Sequence, residues 1–251
     1  MWKNQRIAVV IPAYCEEALL DATLSTIPAF VDRIYVVDDA SPDGTFAVAE
    51  RCSDPRVHPL RHRNNRGVGG AIITGYQRAL SDGYDVFCVM AGDNQMHPDD
   101  LIPLVDKLIT DRLDYVKGNR FNHPDRKRMP AARRLGGRAL GQLTSWASGT
   151  KITDSQCGYT AMSARCAADI DLFDIWPRYG YPNDLLMVLT ARGARVGEVS
   201  VRPVYANEQS GLRPWHTAAI AMLIGRRWWA LRQERRASPS RFSAPFSPRI
   251  G

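Results

Sequence analysis

Short apolar runs and longer stretches of helical spacing alternate through the first half of the chain. "RIAVVIPA" (Arg6–Ala13) is apolar from Ile7 onward and of strand length, and Glu16–Ile27 then carries apolar positions at helical intervals. "DRIYVVDDA" predicts a second strand, the "SPDGT" turn leads through Thr45 into a helix over Phe46–Cys52, and "RVHPLRH" predicts a short third strand. "GVGGAIITGYQRALSDG" predicts a glycine-led helix. "YDVFCVMAGD" (Tyr84–Asp93) predicts a fourth strand, "PDDLIPLVDKLITDR" a helix opened by Pro98, and "DYVKGNRF" a fifth strand. Strands this apolar are buried on both faces, so the alternation predicts an α/β fold: a doubly wound, mostly parallel sheet flanked by helices. Further on, the pattern predicts helices at Arg133–Ser148 and near Asn183–Arg192, a strand in "RVGEVSVRPVYA" and a helix in "WHTAAIAMLIGRRWWALRQERR". The Ser- and Pro-rich tail "ASPSRFSAPFSPRIG" is expected to be disordered.

In open α/β sheets, ligands bind beyond the carboxyl ends of the strands. The first strand is followed by Pro12, Tyr14 and Glu16, the second by Asp38, Asp39 and Asp43, the fourth by Asp93, Asn94 and Gln95, and the fifth by Asn119 and Arg120. Polar residues at four neighbouring strand ends point to a ligand site on that rim. Carboxylates do not meet phosphate directly. They can accept from a base or from ribose hydroxyls, or hold a hard cation that bridges phosphates. Asp-Gly is also ordinary turn chemistry, so Asp43 serves equally as a turn residue. "GVGGAI" fits neither GxGxxG nor GxxxxGK[ST] and follows no strong first strand. A nicotinamide dehydrogenase or a P-loop enzyme is disfavoured, and those glycines are expected to let a helix start close to the sheet or a ligand.

Charge adds a direction to this picture. The 251 residues carry a net +7, with 45% hydrophobic and 24% charged residues. The basic residues cluster: Arg120, Arg126, Lys127, Arg128, Arg133, Arg134 and Arg138 crowd one segment, and a second group runs from Arg213 to Arg236. Such clusters fit a phosphate-rich partner or a solvated basic face. Binding of nucleic acid is disfavoured, because no aromatic platform interleaves the basic residues and the strand-end acids would repel phosphate. Five scattered cysteines without a CxxC pair argue against a disulfide framework or zinc knuckle, and a cytoplasmic setting is expected. Neither a signal peptide nor an apolar run long enough to span a bilayer is expected.

Seven segments, in order, resemble the family 2 glycosyltransferases of the GT-A fold, and within them the polyprenyl- and dolichyl-phosphate sugar transferases. They are "VIPAYCEE", "VVDDASPDGT", "NRGVGGAIITGY", "MAGDNQMHPDDL", "KGNRF", "DSQCGYTAMS" and "RPVYANEQSG". The resemblance spans roughly Arg6–Gly211 and implies an inverting transfer from a UDP- or GDP-sugar to a lipid-phosphate acceptor. It implies that Pro12, Tyr14, Glu16 and Asp39 cradle the base and ribose. Asp93 would hold Mg²⁺ or Mn²⁺ on the diphosphate, with Gln95 alongside. Arg120, Arg134 and Arg202 would hold the acceptor phosphate, and Asp154 would begin the acceptor-side segment, either touching sugar hydroxyls or capping a helix.

Three departures bear on these roles: Ala91-Gly92-Asp93 lacks the first acid of the family's DxD, the usual Glu-Asp pair is Asn183-Asp184, and the usual late Ser-Lys is Gln209-Ser210. If the acceptor is a hydroxyl, Asp184 would be its base. An acceptor phosphate is already ionised and needs none. The expected organisation is a catalytic domain over 1–211, a basic amphipathic helix over 212–236 and a tail over 237–251. The tryptophans and arginines of that helix suit either a peripheral place at a lipid interface or packing on the domain; oligomeric state is left open.

Overall fold

Residues 1–204 and 214–237 are described in the computed structural model of the chain. The late loop bearing Gln209 and Ser210, and the tail from position 238, lie outside the described residues.

The apolar run at the start forms β1 (Ile7–Ala13), with Ile7 to Ile11 fully buried. It pairs in parallel with β2 (Arg33–Asp38) on one side and with β4 (Val86–Val89) on the other; β3 (Val57–Arg61) extends the sheet beyond β2. The remaining strands are β5 (Tyr115–Asn119), β6 (Thr160–Ser163) and β7 (Val196–Ser200), in the order β3-β2-β1-β4-β6-β5-β7. Only β6 runs antiparallel to its neighbours. It reverses inside "DSQCGYTAMSA", where the sequence pattern predicted no strand. Because β5 is parallel to β7 and antiparallel to β6, the carboxyl ends of β2, β1, β4, β5 and β7 all open onto one rim.

Helices cover both faces. The helix α3 (Val68–Ser81) and the later α6 (Ala164–Ala168) and α7 (Tyr181–Ala191) pack on one side, burying Val10, Tyr35, Phe87 and Tyr115. On the other side, α1 (Leu20–Ser25), α2 (Thr45–Arg51) and α4 (Leu101–Thr110) cover Val9, Ile11, Val36 and Val116. Side chains alternate between the two cores because successive strand residues point to opposite faces. A third, smaller core joins α5 (Ala131–Ser148) to α7 and α8 (Pro214–Ala237) through Leu140, Met187, Ile220 and Ile224.

Two elements are shorter than the pattern predicts, each for a local reason. The stretch from Glu16 was expected to be helical, but α1 starts only at Leu20. Residues before it are drawn onto the start of α2: Glu16 N donates to Thr45 Oγ1 (2.8 Å), and Gly44 N donates to Glu17 Oε2 (2.9 Å). The fourth strand ends at Val89 rather than Asp93, and its antiparallel pairing with β6 begins at that residue, opposite Thr160. The released segment, residues 90–97, becomes a loop across the rim.

Candidate active site

The rim gathers most of the residues singled out from sequence. Where β1 leaves the sheet, Pro12 is half-buried, Tyr14 is 49% exposed, and Cys15 takes a left-handed φ of 58° that turns the chain toward Glu16. Gly92 lies against this exit: a Cβ there would stand 3.5 Å from both Pro12 O and Glu16 Cγ. Pro12, Glu16 and the loop bearing Asp93 are therefore immediate neighbours. Asp93 Oδ1 accepts from Gln95 N (3.0 Å), and Asn94 takes a φ of 56°, which closes a tight turn at the strand end.

Asp39 lies one strand over and is buried. Its N–H donates to Ala13 O (2.9 Å), joining the exits of β1 and β2. Its carboxylate accepts from Arg66 N (2.8 Å) and Gly67 N (2.7 Å) and lies 2.6 Å from His62 Nδ1. Asp39 thus fixes the loop that leads into α3. His62 was missed from sequence although it directly follows the third strand. The strand-end rule finds it once that strand is counted with the others.

The glycines opening α3 do not cradle a phosphate. Gly67 has a φ of 87°, and a Cβ on Gly69 would come within 2.8 Å of Trp176 O. Gly70 N donates to Pro177 O (2.9 Å), so the amide end of the helix is covered by the chain's own segment 176–178. The expectation of a close helix approach is met, with protein rather than ligand as the neighbour.

On the far side of the rim, Arg120 follows β5 and grips the fully buried Asp154. Nε donates to Oδ2 (2.7 Å), Nη2 to Oδ1 (2.9 Å), and the backbone N–H also reaches Oδ2 (3.2 Å). Burial alone would raise the Asp154 pKa, but the Arg120 guanidinium, its hydrogen bonds and Lys117 bring the net shift below the usual carboxylate range. Lys117, wholly buried on β5, donates to Cys157 O, and burial lowers its pKa. Glu198 on β7 ties the same corner together: it accepts from Thr153 N (2.8 Å), Asp154 N (3.1 Å) and Asn119 Nδ2 (3.0 Å). Lys117 and Glu198 were not found from sequence, since each sits mid-strand and gains meaning only from residues far along the chain.

Arg134 lies one turn into α5 and is half-buried. Its helix packs on the segment after Arg120 through Gly137, where a Cβ would meet Phe121 Cζ at 2.8 Å. Arg202 follows β7, where the chain crosses back toward β4. Its N–H donates to Asp100 Oδ2 (2.7 Å), Nη1 stands 2.8 Å from His97 Nε2, and Nε is 3.4 Å from Asp100 Oδ1. Arg202 is thus anchored beside the loop that carries Asp93 and Gln95.

Asp184 is engaged with α8. It is buried in the first turn of α7, and its oxygens face α8: Oδ1 accepts from Arg227 Nε (2.6 Å), Oδ2 from Arg227 Nη2 (2.7 Å) and from Trp176 N (2.8 Å). Arg227 also reaches Asp174, by Nη1 to Oδ2 (2.6 Å) and Nη2 to the carbonyl (2.5 Å). Burial opposes the Arg227 charge, yet the two aspartates raise its pKa. The neighbour Asn183, not Asp184, faces the acceptor-side segment, accepting from Gln156 Nε2 (2.6 Å) and donating to Thr144 Oγ1 (2.7 Å).

Among the described residues, no group of three or more His, Cys, Asp or Glu side chains could hold a metal ion unaided. Mg²⁺ normally takes one or two carboxylates and fills its shell with phosphate oxygens and water, so the single carboxylate of Asp93 fits a cation that arrives with a diphosphate.

The doubly wound sheet carries acids at the exits of its central strands and an arginine beyond them, and comparison with known proteins shows its family. The family model described as "Glycosyl transferase family 2" matches residues 8–164. The chain belongs to that family and is a glycosyltransferase. It is 29% identical over 218 residues to the UDP-N-acetylglucosamine–dolichyl-phosphate N-acetylglucosaminyltransferase of Methanococcus voltae, covering 80% of this chain and 87% of that one. It is 33% identical over 209 residues to the undecaprenyl-phosphate mannosyltransferase of Micrococcus luteus, covering 78% and 82%. Among solved structures it resembles glucosyl-3-phosphoglycerate synthase from Mycobacterium tuberculosis, crystallised with Mn²⁺, UDP-glucose and phosphoglyceric acid. That match has a TM-score of 0.65 at 22% identity and covers 91% of this chain and 80% of the other; it establishes the shared GT-A fold expected from sequence.

Proposed function

We propose that this glycosyltransferase moves a sugar, with inversion, from a UDP- or GDP-sugar to a polyprenyl phosphate, at the cytoplasmic face of a membrane. The observation that carries the reading is the state of Asp184. Its carboxylate is buried and held by Arg227 and Trp176 N. A hydroxyl acceptor would need a base at the rim, and the residue expected to supply one is engaged elsewhere. A phosphate acceptor is already an anion and needs none. The two curated relatives, whose names specify dolichyl phosphate and undecaprenyl phosphate, support the same choice.

In this reading Pro12, Tyr14 and Glu16 line the base and ribose end, and Asp39 with His62 holds the 62–67 loop against it. Asp93, with Gln95 beside it, would hold Mg²⁺ or Mn²⁺, which supplies positive charge to the leaving diphosphate. Arg120, aimed by Asp154, takes the acceptor phosphate together with Arg134 and Arg202; a planar guanidinium suits phosphate oxygens. An acceptor phosphate oxygen attacks the anomeric carbon, the bond from that carbon to the diphosphate oxygen breaks, and the nucleoside diphosphate leaves with the electron pair. Attack opposite the leaving group inverts the centre.

The test is transfer of labelled sugar from nucleotide sugars to polyprenyl phosphate or to a simple glycoside. Label should pass into the organic-extractable fraction with polyprenyl phosphate alone. Transfer to the glycoside, with polyprenyl phosphate inert, would reverse the assignment.

A further inference from the structure

The helix α8 carries two apolar faces. One side is buried: Ile220 and Ile224 lie in the core with Leu140 and Met187, and Arg227 points into the pair of aspartates. At about 100° per residue, Met222 and Trp229 fall almost opposite Ile220, and they are 72% and 61% exposed. Arg226, Arg232 and Arg236 flank this outer stripe and are exposed. On the adjoining helix α5, Trp146 is 64% exposed and stacks on Trp228, with ring centroids 5.2 Å apart, while the Arg232 guanidinium stands 4.1 Å over the other partner of that stack, Trp228. Exposed tryptophans and a methionine among arginines thus form a surface across two helices. Glu234 is the only acid in α8, and α5 has none. Among the described residues no helix is long and apolar enough to cross a membrane.

We propose that this outer α5–α8 face docks on an anionic lipid bilayer, with Met222, Trp146 and Trp229 at headgroup depth and Arg226, Arg232 and Arg236 against acidic headgroups. Tryptophan suits that depth because its ring is apolar and its N–H is polar. Arginine stems can lie along the apolar surface while their heads reach phosphate. The charge decides between occupants: a second copy of this chain would bring the same arginines face to face, whereas an anionic surface complements them. The inference rests on the membrane setting of the proposed function and names the surface that meets the bilayer; docking itself requires neither donor nor acceptor.

The experiment is co-sedimentation of the full chain with vesicles of phosphatidylcholine, with or without about 30% phosphatidylglycerol, free of polyprenyl phosphate and nucleotide. Binding should appear with the anionic vesicles and weaken sharply at high salt. Arg226→Gln with Arg236→Gln should lower the partition coefficient at least about tenfold. Met222→Ser with Trp229→Ser should lower it by a similar factor and leave the melting temperature unchanged, since both residues are exposed. No binding to either vesicle overturns the proposal, as does binding that both double variants retain. A concentration-dependent dimer lost in Met222→Ser/Trp229→Ser, without vesicle binding, assigns the face to self-association instead. Failure here leaves the sugar-transfer reading intact, and loss of transfer activity leaves this one intact.

Discussion

At the scale of single residues, the corner built around Asp154 shows how charge is managed beneath a rim. Its carboxylate stays ionised in a fully buried place because Arg120 contributes two side-chain hydrogen bonds and the Lys117 charge is near. The folded-state pKa lies below the unfolded value, so the folded state binds fewer protons in between. The stability that results is complete above the ordinary carboxylate range and is lost as the pH falls through the lower, folded value. Asp154→Asn should flatten that acid limb in urea unfolding followed from about pH 2 to 6, and should lower stability at neutral pH by about 3–5 kcal/mol, because Arg120 keeps its charge without its partner. An acid limb as steep as in the unsubstituted protein would place the buried charge elsewhere. Lys117 has the opposite sign. Burial lowers its pKa, so its desolvation opposes folding at neutral pH and the penalty fades as pH rises toward the lysine range.

At the scale of elements, α8 is a clamp. Arg227 joins it to Asp184 in α7 and to Asp174 in the preceding turn, while Ile220 and Ile224 bury against α5 and α7. Asp184→Asn should therefore behave as a lesion in stability. We expect a melting temperature lower by at least about 5 °C and kcat reduced by less than about tenfold, where loss of a general base costs about 10²–10⁴-fold. Arg227→Gln should show the same thermal loss. A normal melting temperature with kcat down a thousandfold would restore Asp184 as a base. The start of α3 offers a second test. Gly67 has a φ of 87° and a Cβ there would fall 2.7 Å from Pro177 O. Gly67→Ala should cost about 1–3 kcal/mol in chemical unfolding, and a neutral substitution would mean that the 176–178 segment does not sit on the helix.

At the scale of the whole molecule, a residue's place is legible in the sequence where it follows from its own neighbours. The central strands announce themselves as apolar runs, and the acids that follow them lie on one rim because parallel strands end together. Asp93 and Arg120 could be placed in this way. The partners of Asp184 and Asp154 could not be read this way: Arg227 and Arg120 respectively lie more than 30 residues away, and no local spacing announces such a pair. The antiparallel β6 was hidden for a similar reason. "TAMS" is short, and its direction is set by the neighbours β4 and β5 rather than by its own residues. The same limit applies to α8, whose apolar residues lie around the helix; which of its faces is buried depends on α5 and α7.

The proposed grip of this rim on a nucleoside diphosphate runs through a cation held by Asp93. Its most direct test is the melting temperature of the protein and of Asp93→Ala with UDP or GDP, in the presence and absence of Mg²⁺ or Mn²⁺. At a ligand concentration near 100 times Kd, binding adds about 2.7 kcal/mol, which raises the melting temperature of a chain this size by about 5–10 °C. One nucleotide should give that rise with cation and much less without it, and Asp93→Ala should erase the difference. Equal shifts in both proteins, or none with either nucleotide, would contradict that role of Asp93.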